Sequence, residues 1–444
     1  MTIPITMATP PVDPGPMPAQ ADVVVIGAGV VGVMTAWHLA ARGLRVVICE
    51  KGRVAAEQSA RNWGWCRQQG RDPAELPIMM EAMRLWQGLA QDLGEGLGFR
   101  QCGVMYLARS DREMADFEGW MVHARAQGLD TVLMTRAEVE ARLGSTGVWI
   151  GGLYTASDGR AEPWAAVPLI ARAAVARGVR IVEGCAVRAL DVAAGRVAGV
   201  VTERGRIACD AVVVAAGAWS RLFLGNLGVA LPQLSVLASV AATEPMPEIF
   251  PGNAADDSFA FRRRADGGYS IAPGAAHDFF IGRDAFASLR AFLPVLRKDA
   301  RSTRFRAAAP RGYPDAWGTR RRWGDGPSPF EDCRILDPEP NMATLGRVQD
   351  AFARAFPALG RPRLRTAWGG MIDTMPDVVP VVDHAPLPGL VIATGMSGHG
   401  FGIGPGMGRV VADLVTGNAP GHDLHRFRLA RFSDGTRIAP GPAL

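Results

Sequence analysis

Hydrophobic and polar residues alternate along this chain in blocks that predict strands and helices in turn. Val23–Ile26 is a run of β-branched and other apolar residues, the pattern of a strand buried on both faces of a parallel sheet. Glycines follow it, and residues 31–41 then have the character of an apolar helix. A second strand is predicted over residues 45–49. The N-terminal region therefore predicts a strand, a turn, a helix and another strand.

The glycines of this predicted turn have the spacing GxGxxG. They are Gly27, Gly29 and Gly32, with Ala28, Val30 and Val31 between them. In such a unit the first glycine permits a tight turn, the second lets the backbone approach a pyrophosphate, and the third allows close packing of helix on strand. The N–H groups at the start of the helix favour the phosphate charge. A bound dinucleotide is predicted.

Glu50 follows the second predicted strand, at about the distance along the chain where such units carry an acid. Its carboxylate could accept hydrogen bonds from the ribose hydroxyls of an adenosine, and it disfavours a 2′-phosphate there. These residues alone leave the cofactor open between NAD and FAD.

Later segments follow the same pattern. A helix is predicted over residues 164–176, a strand over 180–187 and a buried apolar strand within 212–216. Residues 258–264 and 269–273 flank Asp-Gly-Gly and predict a β-hairpin.

Composition narrows the class of protein. The 444 residues allow two or three domains, and 48% hydrophobic against 20% charged residues is typical of a globular protein. The 48 basic and 43 acidic residues are too balanced for nucleic-acid binding through phosphate neutralisation. Lysine occurs only as Lys51 and Lys298, so lysine catalysis has few candidates. The six cysteines have no CxxC spacing, which disfavours metal sites, disulfide frameworks and disulfide reductases and favours a reducing, cytoplasmic location.

Two segments have some features of targeting signals. Residues 1–20 contain six prolines and no Lys or Arg, which predicts a disordered extension rather than a secretory signal. Residues 23–41 carry no formal charge over nineteen positions, long enough for a bilayer, but their glycine spacing argues against a transmembrane segment.

Four separated motifs resemble the D-amino-acid oxidase and sarcosine oxidase family (DAO family) of FAD-dependent oxidoreductases, nearest to its glycine-oxidase-like and D-amino-acid-dehydrogenase-like members. They are the GxGxxG unit, SARNWGWCR at 59–67, DAVVVAAGAWS at 210–220 and PGLVIATGMSGHGFGIGPGMG at 388–408. The resemblance covers residues 21–418. It implies an α/β fold, with a discontinuous Rossmann-type FAD-binding domain and an α+β substrate domain built on a mainly antiparallel sheet.

The resemblance also implies domain limits. Residues 21–80, 155–235 and 362–418 would form the FAD-binding domain. Residues 81–154 and 236–361 would form the substrate-binding domain, with the 258–273 hairpin roofing the flavin, and residues 419–444 would be a C-terminal tail.

FAD is the implied cofactor. The loop after the second strand would run beside the flavin, Val187 would contact the adenine end, and six glycines between 395 and 406 would let the backbone approach the ring and diphosphate ahead of a helix. Some relatives attach FAD through a cysteine where this chain has Gly370, so non-covalent binding is expected. The implied cofactor-binding residues are Gly27, Ala28, Gly29, Val30, Val31, Gly32, Glu50, Lys51, Arg61, Asn62, Trp63, Gly64, Val187, Ala215, Ala216, Gly217, Trp219, Gly370, Met371, Gly398, His399, Gly400, Phe401 and Gly402.

Three residues are candidates for catalysis. Arg262, in FRRRADGG, resembles a carboxylate-binding arginine of D-amino-acid dehydrogenases, although a solvated strand end is an equal alternative. Arg67 could bind the carboxylate between aromatic walls, or could tie down its own loop. His399, in SGHGF, matches a flavin-proximal histidine that orients the ring or the substrate amine.

The chain departs from its relatives where they bind carboxylate or activate oxygen. Ile372 stands where D-amino-acid dehydrogenases often have an arginine, and Gly402 where sarcosine oxidases have a lysine. Ile271 and Ala272 occupy the strand that carries an oxygen-activating lysine in relatives. These departures favour a dehydrogenase that passes electrons to a quinone or a partner protein over an oxidase that uses oxygen.

The expected function is FAD-dependent oxidation of the C–N bond of an amino acid, or of an N-substituted or cyclic secondary amino acid, to an imine that hydrolyses. An NAD(P)H-dependent flavin monooxygenase and an FAD subunit of a multi-subunit electron-transfer dehydrogenase are the alternatives.

Overall fold

The structure is a computed structural model that describes residues 4–145, 147–299 and 302–441. Its strands are β1 Val23–Ile26, β2 Val46–Glu50, β3 Trp65–Cys66, β4 Arg100–Gln101, β5 Val104–Ala108, β6 Thr131–Thr135, β7 Gly151–Thr155, β8 Gly159–Arg160, β9 Arg180–Glu183, β10 Val187–Ala193, β11 Arg196–Thr202, β12 Gly205–Ala208, β13 Ala211–Val214, β14 Leu234–Thr243, β15 Asn253–Ala255, β16 Ala260–Arg263, β17 Tyr269–Ala272, β18 His277–Phe280, β19 Thr303–Arg306, β20 Leu364–Thr374, β21 Val381–His384 and β22 Leu390–Thr394. Its helices are α1 Val30–Ala40, α2 Gln58–Arg61, α3 Leu76–Leu93, α4 Asp111–Ala126, α5 Arg136–Leu143, α6 Pro163–Ala176, α7 Ser220–Asn226, α8 Arg283–Asp299, α9 Pro329–Asp332, α10 Met342–Ala355 and α11 Gly400–Thr416.

A six-stranded sheet forms the nucleotide-binding half, in the order β21-β22-β13-β1-β2-β9. All neighbouring pairs are parallel except β21 with β22. β1 and β13 are almost entirely buried, which is why their sequences are continuous apolar runs without alternation. Helices α1, α3, α6 and α11 share one core with the sheet. The predicted strand–turn–helix–strand unit at the N-terminus is confirmed.

A ten-stranded, mainly antiparallel sheet forms the second half and includes β5, β14, β16, β17 and β20. The hairpin predicted around Asp-Gly-Gly is confirmed: β16 and β17 are antiparallel, and Arg263 is opposite Tyr269. β20 pairs with β14 along nearly its whole length, from Leu234 opposite Thr374 to Thr243 opposite Leu364. The mixed α/β fold is thus as expected.

Two elements lie in the other half from the one that the sequence predicted. Part of α3 falls in the 81–154 segment, yet Met83 and Trp86 pack in the same core as Val30 and Met407 of the nucleotide-binding half. β20 falls in the 362–418 segment, yet it is a strand of the ten-stranded sheet. The residues that these two elements contact are distant from them in the sequence, so the local pattern does not reveal either contact.

The N-terminal segment is not a disordered extension over its described residues 4–20. Ile5 is buried in the core of the nucleotide-binding half. The Asp13 carboxylate lies 3.0 Å from Nε of Arg180 and accepts the Ile181 N–H at 3.1 Å. Arg53 donates to the carbonyl of Thr9 at 2.7 Å. The expectation fails because residues distant in the sequence, at the start of β9 and after β2, provide polar partners for this proline-rich segment.

Residues 419–441, expected to be a tail, also pack on the protein. Arg431 forms a buried ion pair with Asp377 at 2.8 Å, and Arg426 pairs with Asp72 at 2.9 Å. Within the described chain, no helix is both long and apolar enough to span a membrane.

Candidate functional site

A cavity of about 1150 Å³ lies between the carboxyl ends of the parallel strands and the ten-stranded sheet. Ile26, Glu50, Ala215 and Thr394, from the ends of four parallel strands, all line it. This is where open parallel sheets bind ligands, and the volume exceeds the roughly 300–1,000 Å³ of ordinary ligand pockets. A dinucleotide together with a small substrate is a chemically sensible occupant.

The GxGxxG turn is shaped by close backbone approaches. Gly27 has φ +105°, and a Cβ there would lie 2.5 Å from the Ala215 carbonyl. A Cβ on Gly32 would lie 2.0 Å from the Gly27 carbonyl. Gly29 precedes the first turn of α1 and lines the cavity, so its backbone can meet a ligand. No other residue type fits the first and third positions.

Glu50 is held at the edge of the cavity by two backbone donors. Its Oε2 accepts the Ala28 N–H at 2.8 Å, and its Oε1 accepts the Gly52 N–H at 2.7 Å. Burial raises the pKa of this carboxyl, which Lys51 and the two N–H groups oppose. Each oxygen keeps a further lone pair, so the carboxylate can accept hydrogen bonds from a ribose.

The predicted flavin loop is fixed by its own side chains. The Lys51 ammonium donates to Glu57 at 2.7 Å and to the carbonyls of residues 333 and 334. The Arg61 guanidinium donates to Asp337 at 2.6 Å and to the Gly369 carbonyl at 2.9 Å. Asn62 accepts the Gly64 N–H at 2.7 Å. These side chains hold the loop in place against the cavity.

The roof of the cavity is apolar and comes from two paired strands. Ala238 of β14 lies opposite Gly370 of β20, and Val240 and Ile372 continue the same lining face. A Cβ on Gly370 would stand 3.3 Å from the Arg61 Cβ, so a larger side chain has little room there. A flat ring system would meet small side chains and backbone on this side.

Arg67 lines the cavity beside aromatic side chains. Its guanidinium donates to the Gln69 carbonyl and lies 5.6 Å from the ring centroid of Tyr106, without a carboxylate ion-pair partner among the described residues. Trp65 packs against Tyr106 with centroids 6.1 Å apart, and Trp63 packs edge-on against Trp65. A half-buried guanidinium with donors to spare is suited to a carboxylate.

His399 also lines the cavity, at the start of α11. Its Nδ1 lies 3.7 Å from Oε2 of Glu75, beyond hydrogen-bonding distance. Burial lowers the pKa of His399 to about 4, with the nearby guanidiniums of Arg71 and Arg67 acting in the same direction and Glu75 opposing them. The imidazole is therefore neutral near pH 7 and can accept a hydrogen bond.

Arg262 is not available to a substrate. Its side chain is fully buried, and its Nη1 and Nη2 donate to Oε1 and Oε2 of Glu162 at 2.9 and 3.0 Å. Nη2 also contacts the Ser270 hydroxyl at 3.2 Å, and the residue does not line the cavity. The expectation that Arg262 binds a carboxylate of the substrate is therefore corrected: it binds one of the protein's own.

The sequence of residues 22–414 matches the family described as FAD-dependent oxidoreductase, abbreviated DAO. The chain belongs to the DAO family. It is an FAD-dependent oxidoreductase, as the four motifs indicated.

Three relatives show the breadth of this family. The β-subunit of sarcosine oxidase from Rhizobium meliloti is 28% identical, over 96% of this chain and 91% of its own. D-amino acid dehydrogenase from Rhizobium johnstonii is 25% identical, over 92% of this chain and 99% of its own. The structure of L-amino acid deaminase from Proteus myxofaciens in complex with anthranilate superposes with a TM-score of 0.89 and 32% identity, covering 95% of each chain.

The site fits the cofactor of the DAO family. The glycine cradle and the Glu50 carboxylate would hold the adenosine diphosphate, with Val187, Ala216, Gly217 and Trp219 also in the lining. Gly398, Gly400, Phe401 and Gly402 also line the cavity and would contact the ring system. Four predicted cofactor residues stand behind this lining instead: Ala28, Gly32, Gly64 and Met371.

Those four residues support the lining. Gly64 has φ +83°, and a Cβ there would meet the Ala161 carbonyl at 2.5 Å. Met371 alternates with the lining residues Gly370 and Ile372 and points into the core that contains Leu237. Ala28 is fully buried behind the turn that Gly27 and Gly29 form.

The C-terminal glycine run has a different main role from the predicted one. α11 begins at Gly400, so the later glycines are inside the helix and do not precede it. A Cβ on Gly404 would lie 2.6 Å from the Val30 side chain, and one on Gly408 would lie 2.5 Å from Cβ of Met34. These glycines let α11 pack closely on α1, and only residues up to Gly402 reach the cavity.

Replacing Gly32 by alanine is expected to weaken FAD binding about 5-fold to 100-fold. The new Cβ would displace the Gly27 carbonyl, and overpacking of this kind costs about 1–3 kcal/mol. Titration of the apoprotein with FAD measures the effect. Gly88→Ala in α3 is the control because its Cβ would meet open space, so affinity should not change. If both variants bind FAD equally well, the close packing of Gly32 on the Gly27 carbonyl is not required for FAD binding.

Sequence reasoning missed several lining residues. Arg71 lines the cavity, and it pairs at 3.0 Å with Glu75 behind the lining, in the turn that precedes α3. Asp373 accepts the Gly395 N–H at 2.9 Å and so joins β20 to the loop between β22 and α11. Tyr106 has no signal in its own sequence neighbourhood.

Proposed function

We propose that the protein oxidises the C–N bond of an amino acid, or of an N-substituted or cyclic secondary amino acid, to an imine that water then hydrolyses. The observation that carries this proposal is Arg67, a guanidinium on the cavity wall that has no carboxylate partner among the described residues. A substrate carboxylate is the group that such a fork binds best.

The substrate would lie between Arg67 and His399. The carboxylate accepts from Arg67, while the apolar part of the substrate packs against Trp63 and Tyr106, which also line the cavity. The aromatic walls exclude water and hold the substrate under the small-residue roof. Binding at two points fixes which C–H bond faces the ring system.

His399 would orient the amine. A neutral imidazole nitrogen accepts a hydrogen bond from the substrate N–H, which turns the nitrogen lone pair toward the carbon that loses hydrogen. The substrate must lose its ammonium proton to solvent first, because a protonated nitrogen has no lone pair. Burial keeps His399 from competing for that proton, since it lowers the pKa of the imidazole to about 4.

Bound FAD supplies a two-electron acceptor for the hydrogen lost from carbon, and the protein supplies position and charge. We propose that FAD is held non-covalently, since Gly370 occupies the position of the flavin-linking cysteine in some relatives. The electrons then pass to oxygen or to another acceptor, such as a quinone or a partner protein. Lys51 is tied to Glu57 and two carbonyls in the nucleotide loop, so it is not placed to promote reaction with oxygen.

Anaerobic bleaching of the flavin spectrum tests this function. Pools of D-amino acids, L-amino acids, N-alkyl amino acids and cyclic imino acids are mixed with the holoprotein, and one pool is expected to bleach it. Re-admission of air then separates an oxidase from a dehydrogenase, and acid precipitation shows whether FAD is released. If every pool fails and NAD(P)H bleaches the flavin, the protein is a monooxygenase.

A second candidate is an FAD subunit of a larger electron-transfer dehydrogenase. The similarity to the β-subunit of sarcosine oxidase over 96% of this chain favours it. Purification from the native host under mild conditions, followed by mass determination of the intact complex, would show a stoichiometric second chain.

A further inference from the structure

A buried ion pair lies directly behind His399. Arg71 and Glu75 are each 1% exposed, and Arg71 Nη1 lies 3.0 Å from Oε2 of Glu75. The remaining Arg71 donors reach the His399 carbonyl at 3.0 Å and the Arg67 carbonyl at 3.1 Å. Trp120 donates its indole N–H to the Arg71 carbonyl at 3.0 Å. The pair thus joins the backbones of both proposed substrate-binding residues.

Two polar atoms of this group have no hydrogen-bond partner among the described residues. They are Nδ1 of His399 and Oε1 of Glu75, and both are buried. Nδ1 lies 3.7 Å from the other Glu75 oxygen, so a shift of roughly 1 Å would form a normal hydrogen bond. Arg71 favours the ionised form of Glu75: burial alone would raise the pKa of this carboxyl, and the adjacent guanidinium of Arg71 lowers it by its charge and its hydrogen bond. An ionised carboxylate only accepts hydrogen bonds, so it requires a proton on Nδ1.

We propose that Glu75 is a positioning residue that holds His399 in the Nδ1–H tautomer, so that Nε2 carries the lone pair that receives the substrate N–H. Arg71 fixes the Glu75 carboxylate for this task. The inference rests on the proposed function for its consequence in catalysis, whereas the tautomer itself is a property of the protein alone. The charged groups that face His399 are Glu75, Arg71 and Arg67.

The tautomer is measured without substrate, by nitrogen NMR of holoprotein labelled with 15N-histidine. The His399 resonances are identified by their loss in His399→Asn. We expect the Nδ1–H tautomer in the wild type and a weaker preference for it in Glu75→Gln, because a neutral amide oxygen is a weaker acceptor than a carboxylate and the amide NH2 can also donate to Nδ1. An Nε2–H tautomer in the wild type, or an unchanged tautomer preference in Glu75→Gln, would overturn the proposal.

A matched control exists in α3, the helix that begins directly after Glu75. Glu81 of α3 contacts Nε2 of His422 at 2.6 Å and also pairs with Arg409, but it does not line the cavity. Glu81→Gln should leave both the His399 tautomer and kcat/KM unchanged. A loss of activity in Glu81→Gln equal to that in Glu75→Gln would show that both changes act through folding.

A double-mutant cycle tests the route through His399. We expect kcat to fall about 10-fold to 100-fold in Glu75→Gln, with FAD affinity retained, and no further fall when Glu75→Gln is added to His399→Asn. If the losses of the two single variants multiply in the double variant, Glu75 acts independently of His399 and its role is purely structural. If no amine reduces the flavin, the proposed function fails, while the NMR result still decides the tautomer.

Discussion

Replacing Arg262 by leucine is expected to lower the free energy of unfolding by about 3–5 kcal/mol, because it removes both charged hydrogen bonds to the buried Glu162 carboxylate. The only remaining ion-pair partner of Glu162 among the described residues is Arg160, whose Nη1 lies 3.8 Å from Oε1. Glu162 accepts both guanidinium nitrogens and also the Ala265 N–H at 2.8 Å, so it cannot turn toward water. Urea unfolding of the apoprotein measures the loss. The catalytic rate of the fraction that remains folded should stay near that of the wild type.

Removing both partners is the control for this prediction. The double change Arg262→Leu with Glu162→Leu should be less destabilising than Arg262→Leu alone, because the buried carboxylate and its closest partner are removed together. The Arg160 guanidinium that remains lies 3.8 Å from Glu162 in the wild type, and its side chain is 11% exposed to water. If Arg262→Leu instead unfolds like the wild type and loses only substrate affinity, then Arg262 binds substrate in a state that differs from this structure.

The nucleotide-binding unit could be predicted from sequence because its determinants are local. Gly27, Gly29, Gly32 and Glu50 belong to one strand–helix–strand segment, and the backbone requirements at Gly27 and Gly32 depend on neighbours within that segment or just after one adjoining strand. The order and spacing of these residues in the sequence therefore predict the local geometry. The same holds for the β16–β17 hairpin, whose turn lies between its two strands.

The glycine run at the C-terminus shows why composition alone misleads. Close approach to a ligand and close approach to a helix both exclude a Cβ, so Gly398 and Gly408 have the same appearance in the sequence. Only the position of Met34, far away in the chain, shows that Gly408 serves helix packing.

The arginines show that the role of a charged residue also cannot be predicted without its partners in the fold. Arg67 and Arg262 both lie within two residues of an aromatic side chain in the sequence, and both are candidates to bind a carboxylate. Glu162, one hundred residues before Arg262, neutralises it, and no described carboxylate pairs with Arg67. Partners distant in the sequence also explain why both end segments pack on the protein. Asp13 pairs with Arg180, and Arg431 pairs with Asp377.

Replacing Arg67 by leucine is expected to lower kcat/KM for the substrate by roughly 100-fold or more. Two charge-assisted hydrogen bonds to a carboxylate are lost, each contributing about 1.5–3 kcal/mol. Arg67→Lys should recover only part of this, because an ammonium keeps the charge but lacks the planar fork. Stopped-flow reduction of the flavin at several substrate concentrations separates binding from the rate of reduction.

A second cavity-lining arginine provides the comparison. Arg112 is exposed at the outer part of the same cavity, and Arg112→Leu removes an equal charge without touching the Tyr106 wall. Its effect on kcat/KM should be several-fold at most. A substrate analogue in which the carboxylate is replaced by an amide should react equally poorly with wild type and Arg67→Leu. If the amide analogue still distinguishes the two proteins, Arg67 contributes through the structure of its loop and the carboxylate is bound elsewhere.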